Sequence, residues 1–542
     1  MKHLLKIFHG RIAGTPQMQP QPGKEQVENS AGGYGYALDD WARVDRFLIL
    51  GSDGGTYYVG EKTLTADNAQ HLVKMVKSHG AGVVGRTIEI SVAGRAPKQD
   101  AAIFALAMCA GWGDDETRRV ALADGLPKVC RTASHVLQFA AYIEQFRGWG
   151  RGLRRAVAAW YNAKAVDQLA YQVVKYQNRH DWCNRDLLRL AHPVADGAAR
   201  HALYQWMLGK PKGDAVGNGA PGDESLRLVW AFERCKTMSS AKADDMAAFV
   251  LEHKLPREAV PTDWLREPAV WAALLEDMPT TALIRNLATM TRVGLVTPKG
   301  NATDKVIAQL GDTERLRKAR VHPIAVLAAL TTYGAGHGAR GKGEWKPVRS
   351  VLDALDRAFY ASFGNVRPAG RRTLIGLDVS GSMTCGVIAG VPGLTPRVAS
   401  CAMTMVHVAV EDRCEVMAFS ESFVPFALKR GQKLETVVAR ANALPFAGTD
   451  CALPMLYALD KRLDIDTFIV YTDNETWFGR VHPDEALRAY RAKSGIAAKL
   501  IVVGMTATGF TIADPCDAGM LDVVGFDTAT PNLIADFSRG DL

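Results

Sequence analysis

The segment Thr373-Leu-Ile-Gly-Leu-Asp-Val-Ser-Gly-Ser-Met383 constrains the fold more than any other. Leu374, Ile375, Leu377 and Val379 form the short apolar run required of a parallel strand covered on both faces. Asp378, Ser380 and Ser382 follow at i, i+2 and i+4, so a loop at the strand's carboxyl end can turn three oxygens inward. Open α/β sheets place ligands in the crevice at that end. Carboxylate and hydroxyl oxygens without His or Cys suit Mg²⁺, Mn²⁺ or Ca²⁺ rather than zinc. The alternative is an Asx or Ser turn that merely caps the following helix.

Two later segments extend the pattern. Phe446-Ala-Gly-Thr-Asp-Cys451 presents Thr449 in a Gly-marked turn, and Phe468-Ile-Val-Tyr-Thr-Asp-Asn-Glu475 is a second buried strand ending in Asp473. D-x-S-x-S, a loop Thr and a strand-end Asp in that order resemble the metal-ion-dependent adhesion site of von Willebrand factor A domains. D-x-S-x-S alone is a weak signal, since Ser-rich turns produce it. Three elements in order, two of them at strand ends, form a strong one. Asp378, Ser380, Ser382, Thr449 and Asp473 are therefore the candidate metal residues. The expected cofactor is one divalent cation, Mg²⁺ first, with Mn²⁺ or Ca²⁺ as alternatives.

At 542 residues the chain has room for two or three domains. A composition 48% hydrophobic and 23% charged is that of an ordinary soluble protein. Met1 to Phe8 is too short for a signal peptide, and no 18-residue apolar run exists, so nothing predicts export or a membrane partner. The nine cysteines are odd in number and scattered, with no C-x-x-C pair, which argues for reduced thiols and a cytoplasmic location.

Charge divides the chain. From Val366 onward there are 17 Lys and Arg against 20 Asp and Glu; of the totals of 65 and 57, the first part keeps 48 and 37, an excess of +11. Such asymmetry suggests a polyanionic partner for that part, although a solubilising surface has the same composition.

Residues 10–36, rich in Gly, Pro and Gln, read as the flexible part of a leader spanning 1–36. Helix then follows helix from about Leu38 to Phe363. The segment from Thr65 opens with a Thr/Asp cap, and Gln99–Ala110, Ala133–Phe146, Asp245–Leu251, Ala269–Met278, Thr281–Val293, His322–Thr332 and Val351–Phe363 are apolar at helical spacing. Short breaks between paired helices predict a solenoid of degenerate repeats. After Gly364 strand candidates at 373–379, 415–419, 467–472 and 499–503 alternate with helices, the rhythm of a doubly wound parallel sheet. The predicted organisation is a leader 1–36, a helical-repeat domain 37–364 and an α/β domain 365–542. A basic, Gly-rich loop, His337 to Gly343, lies near the junction.

One helical window stands out. From Arg147 to His192 there are nine Lys and Arg against three Asp: Arg147, Arg151, Arg154, Arg155, Lys164, Lys175, Arg179, Arg185 and Arg189. Trp149, Trp160, Tyr161, Tyr171, Tyr176 and Trp182 are interleaved. Arg151, Arg154 and Arg155 share a helical face, and Arg185 and Arg189 are i, i+4 neighbours. Guanidinium forks suit phosphate oxygens, and aromatic or guanidinium planes stack on bases. A solvated face gives the same pattern for the arginines, and Trp160 and Tyr161 read better as core residues.

Further motifs carry a wider resemblance. Gly51-Ser-Asp-Gly-Gly-Thr-Tyr-Tyr58, Lys98 to Ala107, Trp149-Gly-Arg-Gly-Leu-Arg-Arg155 and Trp160-Tyr-Asn162 resemble the TROVE module. Val174-Lys-Tyr176, Arg185 to Pro193, Leu283 to Ala288 and Gly336 to Lys342 extend the likeness. With D-V-S-G-S-M, G-T-D-C-A-L-P-M and Y-T-D-N-E-T behind them, the chain resembles the Ro family of RNA-binding proteins from about residue 38 to 538. Its richness in Ala, Gly and Arg suggests a bacterial member.

That resemblance implies a ring of HEAT-like helical repeats closed by a von Willebrand factor A-like α/β domain. It implies a small noncoding Y-like RNA on the outer ring surface, and single-stranded 3′ ends of misfolded RNA in the central hole. The family's Y RNA contacts fall on Lys175, Arg179 and His192; the stretch around Arg179 departs from the family pattern, and His192 alone would read as a helix-end histidine. Arg147, Arg151, Arg154, Arg155, Arg185 and Arg189 complete the expected RNA surface. An exoribonuclease is a further partner suggested by bacterial relatives, and the RNA-free chain is expected to be a monomer. No catalytic constellation occurs in the helical zone, so the chain reads as a non-enzyme in noncoding RNA quality control. The alternative is a protein-interaction scaffold that uses the divalent ion, an acidic partner side chain completing its octahedron. A metal-dependent hydrolase fits poorly, because the site holds no general base besides its ligands.

Overall fold

The computed structural model describes residues 13–541 except 52–63, 65–68, 97, 211–222, 239–240, 320, 339–342, 364–365, 389–392, 446 and 527–528. The tyrosine-bearing part of the Gly51 motif, the cap expected at Thr65, Ala339–Lys342 of the basic loop, Phe446 and the expected boundary at 364–365 lie outside the described residues.

The first part is helical, and its starts follow local chemistry. Asp39, Asp114 and Thr132 accept from the amides of Ala42, Thr117 and His135, satisfying donors that an uncapped helix end leaves open. Helix Asp100–Trp112 is buried from Ala101 to Gly111 and lies between helices Gln70–Ala93 and Ala133–Phe146. Its small residues permit that: a Cβ on Gly111 would stand 2.4 Å from the Phe146 Cβ. The expected later helices are present as Ala243–His253, Pro268–Glu276, Thr280–Arg292, Pro323–Ala335 and Arg349–Ala361.

The helical path closes on itself as a ring. His322, which starts helix Pro323–Ala335, donates through Nε2 to the Arg95 carbonyl at 3.2 Å, while its Nδ1 accepts from the Ile324 amide at 3.1 Å. Residues 227 positions apart are thereby joined. The α/β domain bridges the same region, since Arg95 also donates to the Val524 carbonyl.

The described strands, in chain order, are β1 Gln26–Glu28, β2 Tyr34–Ala37, β3 Asn178–Arg179, β4 Trp182–Cys183, β5 Thr373–Asp378, β6 Cys414–Phe419, β7 Phe423–Pro425, β8 Thr467–Thr472, β9 Lys499–Gly504, β10 Phe510–Thr511 and β11 Met520–Val524. The main sheet has the order β11-β9-β8-β5-β6-β7, parallel except for the antiparallel edge strand β7. Leu374, Phe468, Val470, Leu500 and Val502 pack on one face with Leu453, Leu487 and Tyr490. Ile375, Leu377, Ile469, Tyr471, Ile501 and Val503 face the other way, where helix Pro396–Val410 covers β5 and β8 and helix Asp40–Leu50 of the ring reaches β11, in an apolar core continuous with that of the helical zone.

The leader departs from expectation. The described part of the expected flexible leader, residues 13–36, lies along the α/β domain: β2 pairs with both β1 and β10, and Gln17 is fully buried. Composition alone hid this, because the partners of the segment lie more than 430 residues further along the chain and match its amides one by one.

Candidate metal centre and basic surface

Strands β5 and β8 are neighbours at the centre of the sheet, where the connections diverge to either side, and their carboxyl ends frame a switch-point crevice. Asp378 closes β5 and is completely buried. Its Oδ1 accepts from the Ser380 amide at 2.8 Å and its Oδ2 from the Thr472 hydroxyl at 2.7 Å. The hydroxyls of Ser380 and Ser382 are 3.0 Å apart. Asp473, the residue after β8, is also fully buried; one of its oxygens accepts from the Glu475 amide at 3.2 Å. Thr449 joins from its loop through the backbone, its carbonyl accepting from the amides of Trp477 and Phe478 at 3.1 and 3.0 Å.

The electrostatics are unfavourable for the protein groups by themselves. Burial, then the negative charge of Asp473, pushes the Asp378 carboxyl well above the usual carboxylate range, against the bonds from Ser380 and Thr472. Burial raises Asp473 too, with Ser382 and the Glu475 amide working against it. Among the described residues Asp473 Oδ2 has no hydrogen-bond partner. Two adjacent buried carboxyls, paired hydroxyls and an orphaned oxygen fit a hard cation, which would relieve the repulsion and fill the vacant acceptor site. Ser382, 8% exposed, is the most open of the five residues.

The supports of this site lie outside the metal motif. Arg397, buried on helix Pro396–Val410, donates to the carbonyls of Val379 and Ser380 and fixes the loop between the serines and the strand. No local motif announces it. Thr472 sits inside the Y-T-D-N-E-T stretch, where its position before Asp473 was a usable signal.

The basic window resolves into two sets. Trp160 and Tyr161 are core residues, bonding to the Cys130 carbonyl at 2.6 Å and to Asn184 at 2.9 Å. Arg200, just beyond the window, is likewise buried and satisfied by Asp196 and two carbonyls. By contrast Arg147, Arg151, Arg154, Arg155, Arg179, Arg185, Arg189 and His192 are all exposed. None of these seven arginines forms an ion pair among the described residues. Elsewhere in the helical zone Arg119, Arg227 and Arg317 pair with Glu116, Glu224 and Glu314, whereas the exposed Arg234, Arg257, Arg285 and Arg292 form no ion pair among the described residues.

Three local geometries shape that face. Arg151, Arg154 and Arg155 project from helix Arg151–Asn162, whose Leu153, Val157 and Trp160 are buried. Arg179 ends β3, and the turn to β4 holds His180 and Asp181 at φ 49° and 65°, the left-handed pair of a tight hairpin. His192 ends helix Asn184–Ala191, also left-handed at φ 48°. Lys175 is half-buried, its Nζ donating to the Tyr171 hydroxyl at 2.9 Å and lying 5.6 Å from the Tyr176 ring centre. Burial disfavours the Lys175 ammonium, but the bond to Tyr171 and the nearby phenols outweigh it and hold its pKa above the ordinary lysine value.

A helical ring docked on a doubly wound domain with this crevice defines a class, and comparison with known proteins agrees. Residues 27–217 and 248–335 match the TROVE domain, and residues 372–538 match the Ro60 vWA domain. The chain belongs to the Ro60 family. It is 43% identical, over the full length of both chains, to a protein of Deinococcus radiodurans named RNA-binding protein RO60. A Caenorhabditis elegans protein of the same name is 35% identical, the match covering 99% of this chain and 94% of that one. The crystal structure of the Deinococcus radiodurans Ro protein superposes with a TM-score of 0.70, covering 93% of this chain and all of the other. These relatives are named for binding and not for a reaction.

Proposed function

We propose that this chain is an RNA-binding protein, not an enzyme, that holds a small noncoding Y-like RNA on the outer surface of its ring. It also admits the single-stranded 3′ ends of misfolded or damaged RNA to the central hole, as part of noncoding RNA quality control. One observation carries the reading: seven exposed arginines crowd into 43 residues, and none of them is ion-paired among the described residues. Planar guanidiniums left free of ion pairs are available to phosphates, and such contacts bind RNA by shape and charge. The names of the two relatives support the same assignment. In this reading the chain acts in the cytoplasm, is monomeric without RNA, and takes an exoribonuclease as a further partner. Among the described residues no helix is long and apolar enough to cross a membrane.

The α/β domain holds one divalent cation, Mg²⁺ before Mn²⁺ or Ca²⁺, through the hydroxyls of Ser380 and Ser382, with Asp378, Thr449 and Asp473 contributing directly or through water. The orphaned Asp473 Oδ2 and the opening at Ser382 support a second role for this domain, capture of a protein partner through an acidic side chain on the metal.

Sequencing RNA crosslinked to the native protein tests the RNA assignment. Enrichment of small structured noncoding RNAs and of RNAs with unpaired 3′ ends is expected; recovery of no RNA above background would refute it.

A further inference from the structure

The loops that carry the metal residues are not held by the α/β domain alone. Gln17, from the opposite end of the sequence, lies between them and is fully buried. Its Nε2 donates to Asp450 Oδ1 and to the Val481 carbonyl, both at 2.8 Å, and its Oε1 accepts from the Thr476 hydroxyl. Asp450 follows Thr449 directly, and Thr476 lies three residues beyond Asp473. The Gln17 backbone is tied in as well, donating to the Gly479 carbonyl at 2.9 Å and accepting from the Tyr34 amide at 2.8 Å. The approach is so close that a Cβ on Gly479 would stand 2.2 Å from Gln17 Nε2.

The contact continues along the segment. Asn29 Nδ2 donates to the Thr476 carbonyl at 2.7 Å, and the Ala31 amide to Glu475 Oε2 at 3.1 Å. Gly33 passes over Thr476 where a Cβ would fall 1.9 Å from the Thr476 carbonyl oxygen. Further out, Lys24 pairs with Asp514 at 2.6 Å, Gln21 donates to Asp484 at 2.6 Å, and β2 is hydrogen-bonded to β10. Two buried carboxylates beside the metal residues, Asp450 and Glu475, thus each accept a hydrogen bond from the N-terminal segment. Buried carboxylates that lose a donor seek water, and a loop that hydrates them moves.

We infer that residues 13–37 form a clamp on the metal centre and that Gln17 is a positioning residue, setting the Thr449 and Asp473 loops at cation-binding distance. The clamp joins the two loops through one amide side chain, so metal affinity depends on a residue more than 350 positions away from every ligand. The inference rests on the metal assignment above.

The test uses the full-length protein and Mn²⁺ as probe, with binding followed by titration calorimetry and by the Mn²⁺ electron paramagnetic resonance signal. Gln17→Ala removes the bridge, and Gln17→Glu keeps its shape while setting a carboxylate against Asp450. Mn²⁺ affinity is expected to fall about tenfold in Gln17→Ala, as for a lost buried hydrogen bond, and further in Gln17→Glu. Amide exchange should rise at 449–451 and 475–478 in both variants and stay unchanged in helix Asn184–Ala191. Should either variant unfold, the same exchange measurement on a full-length Asn29→Ala, Gly33→Ala protein reads the clamp without touching Gln17. Wild-type Mn²⁺ binding that persists within twofold in the variants, or added exchange confined to 13–37, would overturn the clamp and leave the metal centre standing. A wild-type protein that takes up no Mn²⁺ would overturn both.

Discussion

Arg46 directs its Nη2 at both oxygens of Asp522, at 2.7 and 2.8 Å, and so fastens helix Asp40–Leu50 of the ring to β11 of the sheet. Its Nη1 donates to the Thr508 hydroxyl at 2.9 Å and to the carbonyls of Thr506 and Thr508 at 3.2 Å, and the side chain is almost wholly buried. Removing one member of such a pair strands the other, at a cost of about 3 kcal/mol. Arg46→Ala is therefore expected to lower stability by about that amount in urea unfolding, and Asp522→Asn by less, since the amide still accepts. Wild-type stability in both variants would show that the ring does not depend on this junction.

The proposed metal residues and the basic face belong to different parts of the chain. A Ser380→Ala, Ser382→Ala protein is expected to lose divalent-ion uptake, read by Mn²⁺ titration, and to bind RNA with unchanged affinity. A folded variant in which RNA binding falls together with the metal would contradict that separation.

A ring that accepts RNA through its hole discriminates by ends. Duplex RNA is about 20 Å across, whereas a single strand passes a narrow channel guided by Lys and Arg. An RNA hairpin with an unpaired 3′ tail should bind more tightly than the same hairpin cut blunt, and both should remain intact after long incubation with Mg²⁺. Equal affinities would confine binding to the outer surface, and reproducible cleavage would refute the non-enzyme assignment.

His407 gives the α/β domain an acid-sensitive point. It is fully enclosed beside Tyr471, its Nε2 has no hydrogen-bond partner among the described residues, and burial pushes its pKa down to about 4 from 6.5. The folded state holds it neutral while the unfolded chain takes up a proton below pH 6.5, so its contribution is complete above that pH and is lost as pH falls toward 4. At pH 5 the loss is about 2 kcal/mol. His407→Leu should lose less stability between pH 7 and pH 5 than wild type by about this amount. Parallel pH profiles in denaturant unfolding would exclude His407 as the source.

Much of this architecture was legible because it is written in short-range patterns. The apolar runs at 374–379 and 468–472 are strands because both faces are covered, and Asp378 and Asp473 stand where those runs end. Helix Ala133–Phe146 and its neighbours follow from 3.6-residue spacing, and Trp160 and Tyr161 from the apolar stripe they share with Val157. Long-range pairings were not legible. The Gly, Pro and Gln content that suggested a flexible leader also suits an extended segment whose side-chain amides find fixed partners, and only those partners, Asp450, Thr476 and Asp484, distinguish the two. The two-residue strand β10 offers no periodicity to read, and the runs of β7 and β11 are short ones next to turns. Arg397 looks from sequence like any helix arginine; its burial against two carbonyls of the serine loop is a tertiary fact.

The most direct test of the RNA assignment is the salt dependence of binding in a Lys175→Ala, Arg179→Ala protein, measured by gel shift with a small structured RNA at several salt concentrations. These residues come from different elements, Lys175 from the end of helix Val166–Lys175 and Arg179 from β3, and neither is ion-paired among the described residues. Each phosphate contact removed lowers the log–log slope by about 0.7–0.9. The expected result is weaker binding with the slope reduced by about one to two. Unchanged affinity and slope in a correctly folded double variant would contradict the assignment of this face to RNA.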